Sequence, residues 1–448
     1  MFLRPKAQDT RSYPDRLHPL LRRLDMLHIR HSGPRWIAGV SVVALSLLSA
    51  TSAQASLAQP TVVSDNPANF TPDVPTGLGS SDGTILKYAQ VGGTMYAGGQ
   101  IGTVTNAART VTYNRANIMA FNADTGAMTS WAPQLNKRVN ALLASDDSRY
   151  LFVGGDFTTL NGGATHSLLK FDLTTGARVS SFSFAPKGAV NDLEMVGGHL
   201  LVGGSYPGGL LSVDPTTGAA DGWLNVQLSG KSEDTAPTKT YRFAVNPAGT
   251  KLVVVGNFTE ANLLPRRQAF MVDLDGAGGV VTSWHPSVFD RTCNPNILFW
   301  TRAVDFSPDG SYFVIAASGG GRTGSVCDAV SRWAASGTGS ATPTWVNYTG
   351  KDSMFSVAAT GVAVYVGGHF RWLDNVAALD EQGPGAVTRN GIGAIDPVTG
   401  KALPWNPGKT RGHGTEELYT TPEGLWLGSD GRYVHGEYRE GVAFMPLP

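Results

Sequence analysis

The stretch VNALLASDDSRYLFVGGDFTTLNGGATHSLLKFDLTTGARVSSF (139–182) decides the fold. Its apolar residues alternate in VNALLA (139–144) or run together in YLFVGG (150–155). Period two in blocks this short is the signature of strands, not helices. Asp146-Asp147-Ser148 makes a minimal turn between the first two strands. A Gly pair, Gly154-Gly155, closes the second strand and permits close backbone approach. In the Asp172-Leu-Thr-Thr-Gly176 turn the Asp carboxylate can accept backbone N–H groups while Gly supplies a positive φ.

The same unit recurs along the chain. Copies of the Gly-pair strand read YAGGQ (96–100), LVGGS (201–205), VVGNF (254–258) and YVGGHF (365–370), with weaker copies at YFVIAASG (312–319) and LWLGSDG (425–431). The turn recurs in NADTGAMTSWAP (122–133), DPTTGAADGW (214–223) and DPVTGKALPWNP (396–407). The first Gly or its equivalent falls at 98, 154, 203, 256, 317, 367 and 428, a mean spacing of 55 residues. About four short strands per unit of this length predicts an all-β chain: a seven-bladed β-propeller of four-stranded antiparallel blades. The Trp following each turn is expected to wedge between neighbouring blades. The last unit ends at Pro448 without its Trp strand, so the segment 61–75 is expected to supply it and close the ring.

Residues 1–55 read as an export signal, with the start possibly at Met26. Eight Lys/Arg precede an apolar run from Trp36 to about Ala53, followed by Ala53-Gln54-Ala55. A retained N-terminal anchor is the competing reading, weakened by Ser46, Ser49, Thr51 and Ser52. The expected organisation is signal 1–55, an N-terminal segment 56–84 carrying the ring-closing strand, and a propeller over 85–448. Removing 1–55 leaves 27 basic and 32 acidic residues, a net charge of −5 (27 − 32) in place of the full chain's zero. The expectation is a secreted, extracellular monomer without a membrane span. Balanced charge gives no footprint for nucleic acid. Cys293 and Cys327 are the only cysteines, and in an oxidising compartment they are expected to pair.

The pattern VGGxF, variable loop, Arg or Asn, AxDxxTG and W-x-P resembles the delta-60-like repeats of secreted bacterial β-propellers. It is more distantly similar to the propeller of fungal Rax2-type cell-polarity markers. The resemblance spans 85–448, is weakest in the fifth and seventh units, and implies an extracellular propeller. The segment with Ala394, Asp396, Gly400, Lys401 and Trp405 is also similar to the tryptophan-docking motif of quinoprotein dehydrogenases. The Trp comes one position later here, no vicinal cysteine pair accompanies it, and seven units are counted instead of eight. This likeness is read as blade packing, and no cofactor or metal is expected.

Loop lengths are uneven around each unit. First-to-second turns are minimal, whereas second-to-third loops (100–116, 257–268, 319–328, 369–391, 429–440) and several links between units are long. In a propeller these long segments share one face, and loops on a rigid scaffold carry function. Both cysteines fall on that face. The richest polar material lies in the last two units: His369, Arg371, Trp372, Asp374, Asp380, Glu381, Arg389, His413, Glu416, Arg432, Tyr433, His435 and Glu437 are the candidate ligand-binding residues. Aromatic rings beside carboxylates and guanidinium groups suit a glycan, and paired carboxylates would serve glycoside hydrolysis if correctly spaced. The competing reading of these residues is a solvated rim braced by Arg–Asp pairs. Arg115, Arg267, Arg322, Arg389 and Arg439 recur near the third strand, which suggests structural bonds to loop carbonyls. The sequence therefore predicts a binding module for glycan or extracellular protein. The alternatives are a glycan-processing hydrolase or lyase and, third, a quinoprotein oxidoreductase.

Overall fold

The computed structural model describes residues 57–75, 83–291, 293–321, 324–376 and 380–448. Residues 1–55, expected to be an export signal, and Arg322 lie outside the described residues. Seven sheets of three or more strands occur among those residues, all antiparallel meanders at their centres. Their first strands are Thr84–Val91, Val139–Ala144, Val190–Val196, Lys239–Val245, Thr301–Phe306, Met354–Ala359 and Thr415–Thr421. Each first strand packs beside that of the next sheet, and Thr415–Thr421 packs beside Thr84–Val91. Sheets arrayed radially with their first strands innermost form a β-propeller. No helix of the described residues is long and apolar enough to cross a membrane.

The core is divided among the gaps between sheets. Ala89, Ile118, Val139 and Val153 join the first sheet to the second, and Tyr88, Phe121, Trp426 and Phe444 join the seventh to the first. Each of the other gaps holds its own apolar cluster. The Gly pairs set the distance across these gaps. A Cβ on Gly154 would fall 2.5 Å from Val190 Cγ1 of the next first strand, and one on Gly428 would fall 2.7 Å from the Ile85 carbonyl oxygen.

The Trp-and-turn element links the first sheet to the second, the third to the fourth and the fifth to the sixth. The Nε1–H groups of Trp131, Trp223 and Trp345 donate to the carbonyls of Gly176, Asp275 and Pro397, at 3.1, 3.2 and 2.9 Å. Each acceptor lies at the third-to-fourth turn of the following sheet. Within those turns Asp172 Oδ1 accepts from the N–H of Thr174 and Thr175 at 3.0 Å, and Asn122 does the same work in the first unit. Trp405 has no such turn ahead of it and donates to the Ser64 carbonyl (3.1 Å). The segment around Ser64 lies beside Val442–Pro446: Ser64 N–H donates to the Pro446 carbonyl and Ala68 N–H to the Phe444 carbonyl, at 2.7 and 2.8 Å.

Two details differ from the sequence reading. Fourth strands are full in the third, fourth and fifth sheets, but single bridges stand in their place in the first, second and sixth: Phe121–Met128, Phe171–Arg178 and Ile395–Ala402. Pro133, Pro186 and Pro404 follow closely in those units, and proline brings no N–H to a ladder. The repeat marker also shifts by one residue in two units. The strand pairings make Val255 and Ala316, not Gly256 and Ala317, the partners of the first Gly elsewhere. Cys293 and Cys327 form a disulfide with Cα atoms 6.2 Å apart, Cys327 packing into the cluster that holds Phe299 and Trp333.

Candidate functional site at the axial mouth

A β-bulge interrupts the first strand of all seven sheets at the same place. The unpaired residues are Leu86, Asn140, Asn191, Tyr241, Arg302, Phe355 and Glu416. The second residue of the Gly-pair motif accommodates the bulge. A Cβ on Gly155 would fall 2.3 Å from the Arg138 carbonyl and one on Gly204 2.1 Å from the Ala189 carbonyl, each two residues before a bulged residue. Ala317 and Ser429 hold this position in the fifth and seventh sheets, where the first strand accommodates a side chain. A bulge re-aims the side chain it carries. Here all seven line one cavity of about 320 Å³, together with Arg138, Lys239, Arg242 and Trp300. The bulges lie at the start of each first strand, beside the end of the second, so this cavity opens on the face bearing the long loops.

A second cavity, of about 120 Å³, lies deeper on the same strands. Arg242 borders both. Its guanidinium donates to the carbonyls of Asn191 (2.7 Å), Asn140 (3.0 Å) and Leu86 (3.1 Å), tying together the bulges of three sheets across the axis. Below it Lys87 Nζ stands 3.5 Å from Asp192 and 3.7 Å from Glu417, and Arg242 reaches the same two carboxylates at 3.9 and 4.0 Å. Burial pulls the Lys87 ammonium down, but Asp192, Glu417 and Glu194 outweigh it and hold the pKa above its usual value. Burial, reinforced by Asp192, pushes Glu194 up to about 8. Burial also raises Glu417, against the pull of Lys87 and Arg242.

The mouth has the opposite balance. Arg138, Lys239, Arg242 and Arg302 line it with one carboxylate, Glu416. Arg138 pairs with Asp156 at 2.6 Å. Lys239 Nζ lies 4.3 Å from the centre of the Tyr241 ring, and the Arg302 guanidinium lies within 5.9 Å of the Tyr241, Trp300 and Phe355 rings. Burial and then Arg138 and Arg302 lower Lys239 to about 8. Burial lifts the Tyr241 hydroxyl to about 12, so it is a neutral donor at physiological pH. Tyr241 Oη and Trp300 Nε1 are buried without a hydrogen-bond partner among the described residues.

The residues singled out from sequence fall in three places. Glu416 is the bulged residue of the seventh sheet, with His413 Nδ1 3.2 Å from its Oε1 and the His413 ring stacked on Phe355 at 5.5 Å. Burial disfavours the Glu416 carboxylate, yet His413 and Arg302 outweigh it and lower its pKa; the Glu416 hydrogen bond raises that of His413. Beside this pair, His369 Nδ1 lies 3.0 Å from the His413 carbonyl, and Arg371 bridges Asp352 (2.8 Å) and Asp380. Arg411 completes the cluster on Asp352 at 2.7 Å.

The remaining candidates lie away from the axis. Trp372 lies under the Arg371 guanidinium at 4.2 Å. Asp374 accepts from Asn347 (2.7 Å) and the Ala402 N–H (3.1 Å). Glu381 is exposed. Arg389 is buried and donates to the Thr388 and Leu403 carbonyls at 2.7 and 2.6 Å. Arg115 donates likewise to Thr129 and Arg439 to Ala68. In the fourth unit Arg266, not Arg267, takes this role, on Thr282. Arg432 pairs with Glu440 (3.2 Å), Tyr433 meets Tyr438 edge-on, Glu437 accepts from Arg439, and His435 sits at the hairpin tip with φ 53°.

Lys239, Tyr241, Arg242, Trp300, Arg302 and Phe355 were not among the sequence-derived candidates. A signal exists for the three bulged ones, Tyr241, Arg302 and Phe355: every bulged residue lies 12 or 14 positions before the first-Gly position of its unit, depending on the intervening turn.

No sequence family and no curated protein matches this chain. Solved structures similar to it include the WD40 β-propeller domain of Doa1, at 9% identity over 84% of this chain and 96% of that one, TM-score 0.44. U3-55K is similar at 12% identity over 85% of this chain and 100% of that one, TM-score 0.48.

Proposed function

We propose that this protein is an exported, seven-bladed β-propeller, its ring closed by the segment around Ser64, that binds an extracellular glycan at the axial mouth. The convergence of seven bulged residues on one cavity carries this reading. Its volume of about 320 Å³ suits one small ligand group, near the lower end of ligand pockets, roughly 300–1,000 Å³. Aromatic and charged side chains line it on the loop-rich face. The ring count is supported by the seven inter-sheet clusters, and closure by Trp405 bonding Ser64 where its counterparts bond the next sheet. The hydrolase alternative is less well supported: Asp192 and Glu417 are engaged by Lys87 and Arg242 in the smaller cavity. The docked tryptophans likewise favour packing over a quinone site.

A glycan and polysaccharide binding screen on the purified protein tests the reading. Binding of at least one glycan is expected, weakened about tenfold or more by Phe355→Ala and little changed by Trp372→Ala. Failure to bind any glycan, or loss of binding with Trp372→Ala alone, would overturn it. N-terminal sequencing of the exported protein checks cleavage after Ala55.

A further inference from the structure

The charge of the mouth runs against that of the chain. Residues 56–448 carry a net charge of −5 (27 basic, 32 acidic), yet four cations face one carboxylate at the mouth. Two of the four are engaged: Arg138 by Asp156, and Arg242 by backbone carbonyls. Arg302 has a single long contact, 3.9 Å, to Glu416. The Lys239 ammonium makes no hydrogen bond or ion pair among the described residues, and the Tyr241 ring holds it in place. Aromatic faces thus fix two cations without satisfying their N–H groups. Trp300 Nε1, also without a partner among the described residues, is another donor, and the Tyr241 hydroxyl can donate as well. The underused groups of the mouth are therefore donors, and two of the four, Lys239 and Arg302, are charged. Their complement is an acceptor-only group with negative charge.

We propose that the axial mouth receives an oxyanion carried on a sugar ring, with Lys239 and Arg302 holding the charge and Tyr241 and Trp300 donating to it. This rests on the glycan-binding reading above and narrows it to acidic saccharides. Carboxylate and sulfate share the required chemistry. The lowered pKa of Lys239 agrees with this, because an anion would relieve the crowding of cations around it.

Titration calorimetry with a matched series tests it: oligogalacturonate, the neutral oligogalactose of the same linkage, and a sulfated oligogalactose. At least one acidic probe is expected to bind about tenfold or more tightly than the neutral one. Lys239→Met and Arg302→Gln should each remove most of that preference, while Lys239→Arg retains it. Uronate binding alone assigns the site to carboxylates, and binding of both acids assigns it to oxyanions in general; either supports the proposal. Equal binding of neutral and acidic probes would overturn it and leave the glycan reading intact. Binding of none, extended to the broader screen, would overturn both. If a variant fails to fold, the salt dependence of the wild type decides: affinity for the acidic probe should fall with added salt, and a flat response contradicts the proposal.

Discussion

The two cavities on the axis are built from the same strands, often from adjacent residues, yet their charges do different work. In the lower one Lys87, Arg242, Asp192 and Glu417 form a mutually compensating group. Asp192 additionally accepts from the Phe243 N–H and Asp305 from the Ala359 N–H, each bracing the next sheet. In the upper one cations outnumber carboxylates, and rings hold Lys239 and Arg302 in place. Charge that stabilises the ring is paired across sheets. Charge presented to a ligand is positioned by groups that leave its donors underused.

Mutations on either side of Arg242 should separate these roles. Arg242→Met removes three carbonyl contacts and leaves Asp192 and Glu417 with Lys87 alone; a loss of about 3–5 kcal/mol is expected in urea unfolding. Arg302→Gln, one cavity higher, should cost less than about 1 kcal/mol while impairing binding. Equal destabilisation by the two would erase the distinction. Replacing both Cys293 and Cys327 with Ser opens a loop of 34 residues beside Phe299 and the mouth wall; about 3–4 kcal/mol should be lost by the same measurement.

Glu194→Gln probes the lower cavity by pH. A carboxyl raised from 4.5 to about 8 binds more protons folded than unfolded across that window, so its contribution to stability falls as pH rises from 4.5 to 8 and then levels off. The variant should therefore match the wild type near pH 4 and exceed it above pH 8, by on the order of 5 kcal/mol. A flat difference across thermal melts at these pH values would contradict the assignment. Lys239→Met gives the smallest stability change, within about 1 kcal/mol, but should abolish the pH dependence of acidic-saccharide binding. In the wild type that affinity should decline as pH rises through about 8. The groups facing Lys239 are Arg138, Arg302, Asp156 and Tyr241, with Glu416 lining the same cavity.

The sequence shows what repeats, because repetition reports shared packing. The Gly pairs, the Asp-x-x-Thr-Gly turns and the tryptophans recur because each meets a similar neighbour in most of the units that carry it. The bulged residues do not recur. Leu86, Asn140, Asn191, Tyr241, Arg302, Phe355 and Glu416 have no common chemistry, because they face the axis and each other instead of a repeated surface. Polar richness in the sequence therefore marks the loops at 369–389 and 431–440, where Arg371 with Asp352 and Arg432 with Glu440 form ion pairs. It extends to the mouth only at His413 and Glu416. The residue with the widest reach, Arg242, lies inside the strand TYRFAV (240–245), with nothing local to distinguish it.

Hydrogen exchange with bound oligogalacturonate tests the central claim most directly. Slowed exchange is predicted in the segments around the seven bulges, strongest at 239–243, 300–304 and 353–357. Protection confined to 369–389 and 431–440, with the bulges unchanged, would place the ligand on the outer loops and contradict an axial site.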